Sequence, residues 1–177
     1  MNDLAPRDAY GTLVEPMTLQ IQRLLPGPIE RVWAYITDGE LRRKWLAAGA
    51  MELRPGAPFE FVWRNDELND PPSRRPEGFD AEHRLACQVL EVDPPHRLVI
   101  SWGRSDGVTF ELAPAGQKVL LTLTHRRLPD RDTLLKVSAG WHAHLDMLVA
   151  RLEEVAPPDF WEGWLRLKAE YARRLPG

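Results

Sequence analysis

Ser138, His142 and Asp146 stand at i, i+4 and i+8, a nucleophile, a base and an acid in line along one helical flank. In a hydrolase the histidine would take the serine proton while the carboxylate holds the ring. The spacing argues against that chemistry. A serine on a straight helix has no nucleophile elbow, and nothing in the pattern supplies oxyanion donors beside it. The line reads as a flank with local hydrogen bonds, and no catalytic residue is assigned. His142 and His144 lie two apart and point to different sides of a helix, and Cys87 is the only thiol, so no metal site is assigned either. His125, just before Arg126-Arg127, reads as a polar strand end. There is no glycine-rich phosphate loop, Walker sequence or paired-cysteine motif, and no cofactor is expected. The seven tryptophans are left as the informative residues.

These side chains are positioned by the stretch 129–155. At roughly 100° per residue, Leu134, Val137, Trp141, Leu145, Leu148 and Leu152 form one stripe, which Leu135, Ser138, His142 and Val149 widen. So broad an apolar face is expected to cover a sheet. Asp130 is the expected N-cap and Pro157-Pro158 the stop. Gly140 is anomalous, since a mid-helix glycine costs about 1 kcal/mol relative to alanine. It is expected to relieve crowding beside Trp141 or to mark a break between two helices.

Upstream, residues 1–16 show no periodicity and read as a loose arm, whereas 17–25 alternate as a strand. Ile29, Val32, Trp33 and Ile36 predict a short helix with Pro28 at its first position. Asp38 can cap a second helix carrying Leu41, Trp45 and Leu46. Short strands are expected at 51–53 and around Phe59, Phe61 and Trp63, then a long polar loop over 65–83 that would leave a mobile entrance. Further strands are predicted at 84–92, 97–103, 108–113 and 118–125.

Their turns set a register. A loop at 93–96 pairs Val89 with Ile100 and Cys87 with Trp102. A hairpin at 105–107 pairs Trp102 with Phe110 and Ile100 with Leu112. A tight turn at Ala115-Gly116 pairs Phe110 with Leu121 and Leu112 with Val119. One face then gathers Cys87, Val89, Leu98, Ile100, Trp102, Val108, Phe110, Leu112, Val119, Leu121 and Leu123, as an antiparallel sheet with one buried face requires. Beyond Pro158, Asp159 and Glu162 resemble a capping box. They open a final helix crowded with Phe160, Trp161, Trp164, Leu167 and Tyr171.

With 177 residues, 44% hydrophobic and 28% charged, the chain fits one soluble domain with a sizeable core. A lone cysteine forms no intrachain disulfide and suits a reducing cytosol. The start is polar and acidic, unlike a secretory signal, and no apolar run approaches the roughly 18 residues of a membrane span. A net charge of −3 argues against nucleic acid as a partner. The basic groups Arg42-Arg43-Lys44, Arg74-Arg75, Arg126-Arg127 and Arg173-Arg174 are scattered and read as solvated faces. A cytoplasmic protein bound to neither membrane nor nucleic acid is expected.

Five stretches carry a resemblance: PGPIERVWAYITD, RKWLAAG, EVDPPHRLVISW, VLLTLTHRRL and SAGWHAHLDML. In order and spacing they are similar to the START-like (SRPBCC) helix-grip superfamily. Within it they most resemble homologues of the C-terminal domain of the heat-shock-protein-90 ATPase activator. The resemblance implies an α+β fold: a curved antiparallel sheet around a long C-terminal helix, two short helices after the first strand, and an extra helix at the end. The parts would be an arm at 1–16, the helix-grip domain at 17–156 and a helical extension at 157–177.

It further implies a cavity between sheet and long helix that binds a small, largely apolar molecule. The expected wall is Trp45, Phe61, Trp63, Cys87, Trp102, Phe110, Leu121, Trp141, His144, Leu145 and Leu148, with His144 as a polar group at the mouth and Cys87 an unreactive thiol. Two alternatives stand beside this reading. One is a cyclase- or hydrolase-like enzyme using His142, His144 or Glu91 in the same cavity. The other is a chaperone-related or regulatory interaction protein, with 157–177 as the surface for a partner or a homodimer.

Overall fold

Alternating apolar residues build a single sheet of antiparallel strands in this computed structural model, which describes residues 8–176. The strands are β1 (Thr12–Glu15), β2 (Thr18–Pro26), β3 (Pro58–Trp63), β4 (His83–Asp93), β5 (Arg97–Ile100), β6 (Gly107–Ala115) and β7 (Lys118–Arg126). Their order across the sheet is β1-β2-β7-β6-β5-β4-β3. Helices α1 (Ile29–Thr37) and α2 (Gly39–Arg42) carry the chain from β2 to the opposite edge. Helix α3 (Arg131–Glu153) grips the sheet, and α4 (Phe160–Arg174) packs on α3. This is the helix-grip architecture.

Several boundaries differ from the sequence reading, each for a local reason. Part of the expected loose arm is edge strand β1, paired with β2. Residues 51–53 form no strand, and α2 stops at Arg42 rather than reaching Trp45. Pro28 is the N-cap of α1, not its first helical residue. Strand β5 ends at Ile100, so the hairpin loop spans 101–106 and Trp102 lies outside the ladder. Val89 faces Ile100 as expected. Phe110, however, pairs with Leu98 and Leu123, and Leu112 with Leu121. The last turn falls at Gly116-Gln117, with Gly116 at φ 68°. The β5–β6 and β6–β7 registers therefore shift by even numbers of residues, and a bulge after Val89 moves the rest of β4 by one against β5. Side chains alternate with period two, so the same apolar set still faces the core.

Arg42 was read as solvated and is instead 1% exposed. Its guanidinium donates to the carbonyls of Ile36, Thr37, Ala47 and Gly49, which ties the end of α1 to the irregular segment after α2. Trp45 in that segment is fully buried and donates its indole N–H to Tyr35 O at 2.7 Å.

Helix α3 is covered on two sides. Toward the sheet, Trp141 meets Trp102 at 5.3 Å and Phe110 at 5.8 Å between ring centroids, with Leu145 and Leu148 fully buried beside it. Toward α4, His144 meets Phe160 at 4.5 Å, and Trp164 donates to Lys136 O at 3.3 Å. The helix runs unbroken through Gly140, where an added Cβ would lie 4.0 Å from Trp164 Nε1. A side chain would therefore fit at this position, and the glycine neither relieves crowding beside Trp141 nor breaks the helix.

The segment after β3 begins as a short 3-10 helix, Asn65–Leu68, and is latched to the start of α4. Asn69 donates to Pro158 O and accepts from Phe160 N. Ser73 Oγ donates to Asp159 and accepts from Trp161 N, and Trp161 Nε1 donates to Asp66. The half of this segment nearest β3 is therefore held, not free. Asp159 also caps α4 through Glu162 N at 3.0 Å.

Helix α4 buries Phe160, Trp161, Trp164, Leu167 and Tyr171. Full burial of a large apolar side chain stabilises by about 1.5–3 kcal/mol. Truncation after Val155 should therefore lower the melting temperature by roughly 10 °C or more, checked by calorimetry. An unchanged melting temperature would show α4 to be a detachable tail.

Candidate functional site

A cleft of about 650 Å³ opens where three walls fail to meet. One wall is the sheet end, with Trp63 of β3 and Trp102 in the β5–β6 loop. The second is the first half of α3, from Asp130 to His144, and the third is α4 with Phe160, Trp161 and Trp164. Phe79, at the tip of the loop before β4, lies 5.1 Å from both Trp161 and Trp164. Trp63 stands 5.4 Å from Trp102, and His83 stacks on Trp63 at 5.5 Å. Five of the seven tryptophans border this one space.

Of the eleven residues expected to form the wall, Trp63, Trp102, Trp141 and His144 do. Trp45, Phe61, Cys87, Phe110, Leu121, Leu145 and Leu148 are packed in the core behind it. Direct contact of Trp141 with Phe110 and Trp102 closes the gap between the middle of α3 and the sheet. The opening lies to one side instead. Cys87 is buried in that core, and desolvation pushes its thiol up to about 12, which leaves it unreactive. Sequence reasoning missed Asn65, Phe79, Ser105, Phe160, Trp161 and Trp164. The aromatic crowding of 160–164 was the available signal, but nothing local said that it faced α3.

Of the candidate enzymatic groups, His142 and Glu91 are held away from the cleft, and only His144 borders it. His142 Nδ1 lies 2.8 Å from Tyr171 Oη, its ring is edge-on to Tyr10 at 4.7 Å, and its Nε2 is 3.6 Å from Asp146. Asp146 in turn accepts from Arg23 at 3.1 Å. Ser138 Oγ is buried without a hydrogen-bond partner, so the helical line of Ser, His and Asp is not joined. Glu91 lies on the exposed side of β4 beside Arg97, away from the cleft.

His125 is fully buried, not a polar strand end. It lies 2.9 Å from Ser105 Oγ, a separation that suits a nucleophile and its base. The direction of the bonds forbids that role. Trp141 Nε1–H donates to His125 Nδ1 at 3.0 Å. An indole only donates, so Nδ1 is bare and the hydrogen sits on Nε2. Nε2–H then donates to Ser105 Oγ, which donates to Trp102 O at 2.7 Å. Burial, and then the charge of Arg126, pushes this histidine down to about 3, so the ring stays neutral. The chain ties together two aromatic wall residues of the cleft, Trp141 and Trp102, and leaves Ser105 without a base.

His144 is set the opposite way round. Its Nδ1–H donates to Trp45 O at 2.8 Å, because a carbonyl only accepts, and Nε2 is left as a lone pair. Nε2 has no hydrogen-bond partner among the described residues. Burial pushes this imidazole down to about 4. Asn65 Oδ1, at the foot of the Trp63 wall, is buried and unpartnered as well. Among the described residues no group of three or more His, Cys, Asp or Glu gathers as a metal site, and no helix is long and apolar enough to cross a membrane.

Residues 26–153 match the family described as activator of Hsp90 ATPase homolog 1-like protein. The chain belongs to this family. Its fold is the START-like helix grip, and the match ends before α4. A Bordetella parapertussis protein solved by NMR is 37% identical over 98% of this chain and 94% of its own, with a TM-score of 0.79. CalU16 from Micromonospora echinospora shares the fold at 22% identity, covering 88% of this chain and 86% of its own, TM-score 0.63. So does a conserved Enterococcus faecalis protein of unknown function, at 16% identity, covering 93% and 88%, TM-score 0.67. No curated protein matches the chain.

The buried histidines of this family member give its stability a pH dependence. His125, His142 and His144 are pushed down from 6.5 to about 3, 3 and 4, chiefly by desolvation. Below 6.5 the unfolded chain protonates them and the folded chain does not. Stability therefore falls as pH drops through that window, by up to about 1.4 kcal/mol per pH unit for each histidine. Asp146, raised by burial, acts in the opposite sense near its own pKa. The melting temperature at pH 5 should lie roughly 5 °C or more below that at pH 7, with little change above pH 7. Equal values at pH 5 and pH 7 would contradict the assignment of neutral buried rings.

Proposed function

We propose that the chain binds a small, largely apolar molecule in the cleft beside α3 and performs no chemistry on it. The observation that carries this reading is the convergence of Trp63, Trp102, Trp141, Trp161 and Trp164 on one space of about 650 Å³. Small-molecule sites are apolar and aromatic-lined, with a few fixed polar groups, in a range of about 300–1,000 Å³. The reading also accounts for the histidines. His125 holds its tautomer by accepting from Trp141 and so braces a wall, while His144 presents a single acceptor. A catalytic use of Ser105 would need the reverse tautomer at His125.

Gly140 lies on the cleft surface with room above it, which offers a clean way to fill the space. In Gly140→Leu the side chain would enter the cleft, and leucine's helix propensity offsets much of the disturbance, at about 0.8 kcal/mol. Wild-type protein should enhance the fluorescence of a polarity-sensitive naphthalene sulfonate dye and quench its own indole emission on binding. Gly140→Leu should bind at least roughly tenfold more weakly while its melting temperature moves by only a few degrees. Failure of the wild type to bind any apolar probe, or equal binding by both proteins, would count against the cleft as a ligand site.

A further inference from the structure

We infer that the ligand is an uncharged aromatic ring system carrying a hydroxyl group, and that the hydroxyl donates its hydrogen to His144 Nε2. This rests on the cleft being a ligand site, and it adds the chemical class and the group that orients it.

The ring system follows from the walls. Trp63, Trp102 and Trp141 form a continuous aromatic surface, with neighbouring centroids 5.4 and 5.3 Å apart. Across the cleft, Phe79, Trp161 and Trp164 form a second surface, with centroids 5.1–5.8 Å apart. Rings at such spacings prefer tilted and offset neighbours, and a flat guest supplies the missing partner to both surfaces.

The hydroxyl follows from the polar atoms. His144 is 6% exposed, and its ring borders the cleft. With Nδ1–H committed to Trp45 O, Nε2 can only accept, and no donor among the described residues reaches it. Asn65 Oδ1, at the foot of the Trp63 wall, is a buried acceptor with no partner among the described residues. A buried acceptor left unpaired is costly, and a donor on the guest removes that cost. Three of the five indole N–H groups are already committed, to His125, Asp66 and Lys136 O.

Charge on the guest is disfavoured on both signs. A carboxylate would bring negative charge against the His144 lone pair. An ammonium beside His144 would be desolvated without a buried counter-ion, because Asp80 and Arg104, which also line the cleft, are both exposed to solvent. Asp66 holds Arg75 and Trp161, and Asp130 caps α3 through Thr133 N. At the rim, Lys136 is paired with Asp132 at 2.9 Å.

Four probes on one naphthalene frame test this with the full chain: 2-naphthol, 2-methoxynaphthalene, 2-naphthoate and 2-(aminomethyl)naphthalene. Calorimetric titration at pH 7 should show 2-naphthol binding at least roughly tenfold more tightly than the ether, which keeps the oxygen and loses the donor, and than either ion. His144→Phe should bring the naphthol and the ether to within roughly threefold of each other. If that variant fails to fold, the wild type still decides. The ¹⁵N resonance of His144 Nε2 should move on adding 2-naphthol and stay in place with 2-methoxynaphthalene. Equal binding of naphthol and ether overturns the hydroxyl assignment and leaves the cleft as an apolar site. Tightest binding of either ion overturns the assignment of an uncharged guest. No binding by any of the four overturns this inference together with the ligand-binding reading.

Discussion

Helix α3 is gripped between the sheet and α4, and most of the structure follows from that. The sheet covers the stripe of Trp141, Leu145 and Leu148, and α4 covers much of the remainder. A helix buried on two sides must find a partner for each polar group it carries. His142 finds Tyr171, His144 finds the Trp45 carbonyl, and Ser138 alone is left without one. Each pairing fixes a second element in turn. Tyr171 also accepts from Gly11 N beside β1, and Trp45 sits in the segment that Arg42 gathers through four carbonyls. Breaking α3 away from either cover would expose these groups together with the apolar stripe.

The fold was legible because its periodicities are local. The stripe from Leu134 to Leu152, the alternation in β4 through β7, and the Asp130 and Asp159 caps all lie within a few residues of what they specify. Register was less legible, since a hairpin's pairing depends on where its strands stop. Trp102 looks like a strand residue by alternation, yet Ser105 turns the chain back onto Trp102 O and ends the ladder earlier. The error stayed harmless to the core because the shifts were even. Arg42 was misread for a related reason. A basic run suggests solvent, and only the surrounding carbonyls show why this arginine is inside and pushed down to about 10 by desolvation.

The site was legible only in part. Sequence periodicity tells which residues of α3 face the sheet, and those residues pack too well to leave space. The opening depends on partners distant in the chain: α4 against Gly140, and residues 65–73 against 158–161. No window of sequence contains both sides of such a contact. The polar chemistry was hidden in the same way. His125 and His144 differ little as residues, but one is paired with an indole and the other with a carbonyl, so they present opposite faces of the same imidazole.

The latch between the β3–β4 segment and α4 has a consequence for how such proteins can diverge. The family match spans residues 26–153, which hold β3 to β7 and α3, whereas α4, the third wall of the cleft, lies beyond it. Phe160 and Trp161 are held by side chains of the 65–73 segment, and Trp164 by α3, rather than by the sheet. The outer wall can be recontoured by changes in one appended helix and one connecting segment, while the gripped sheet keeps its packing.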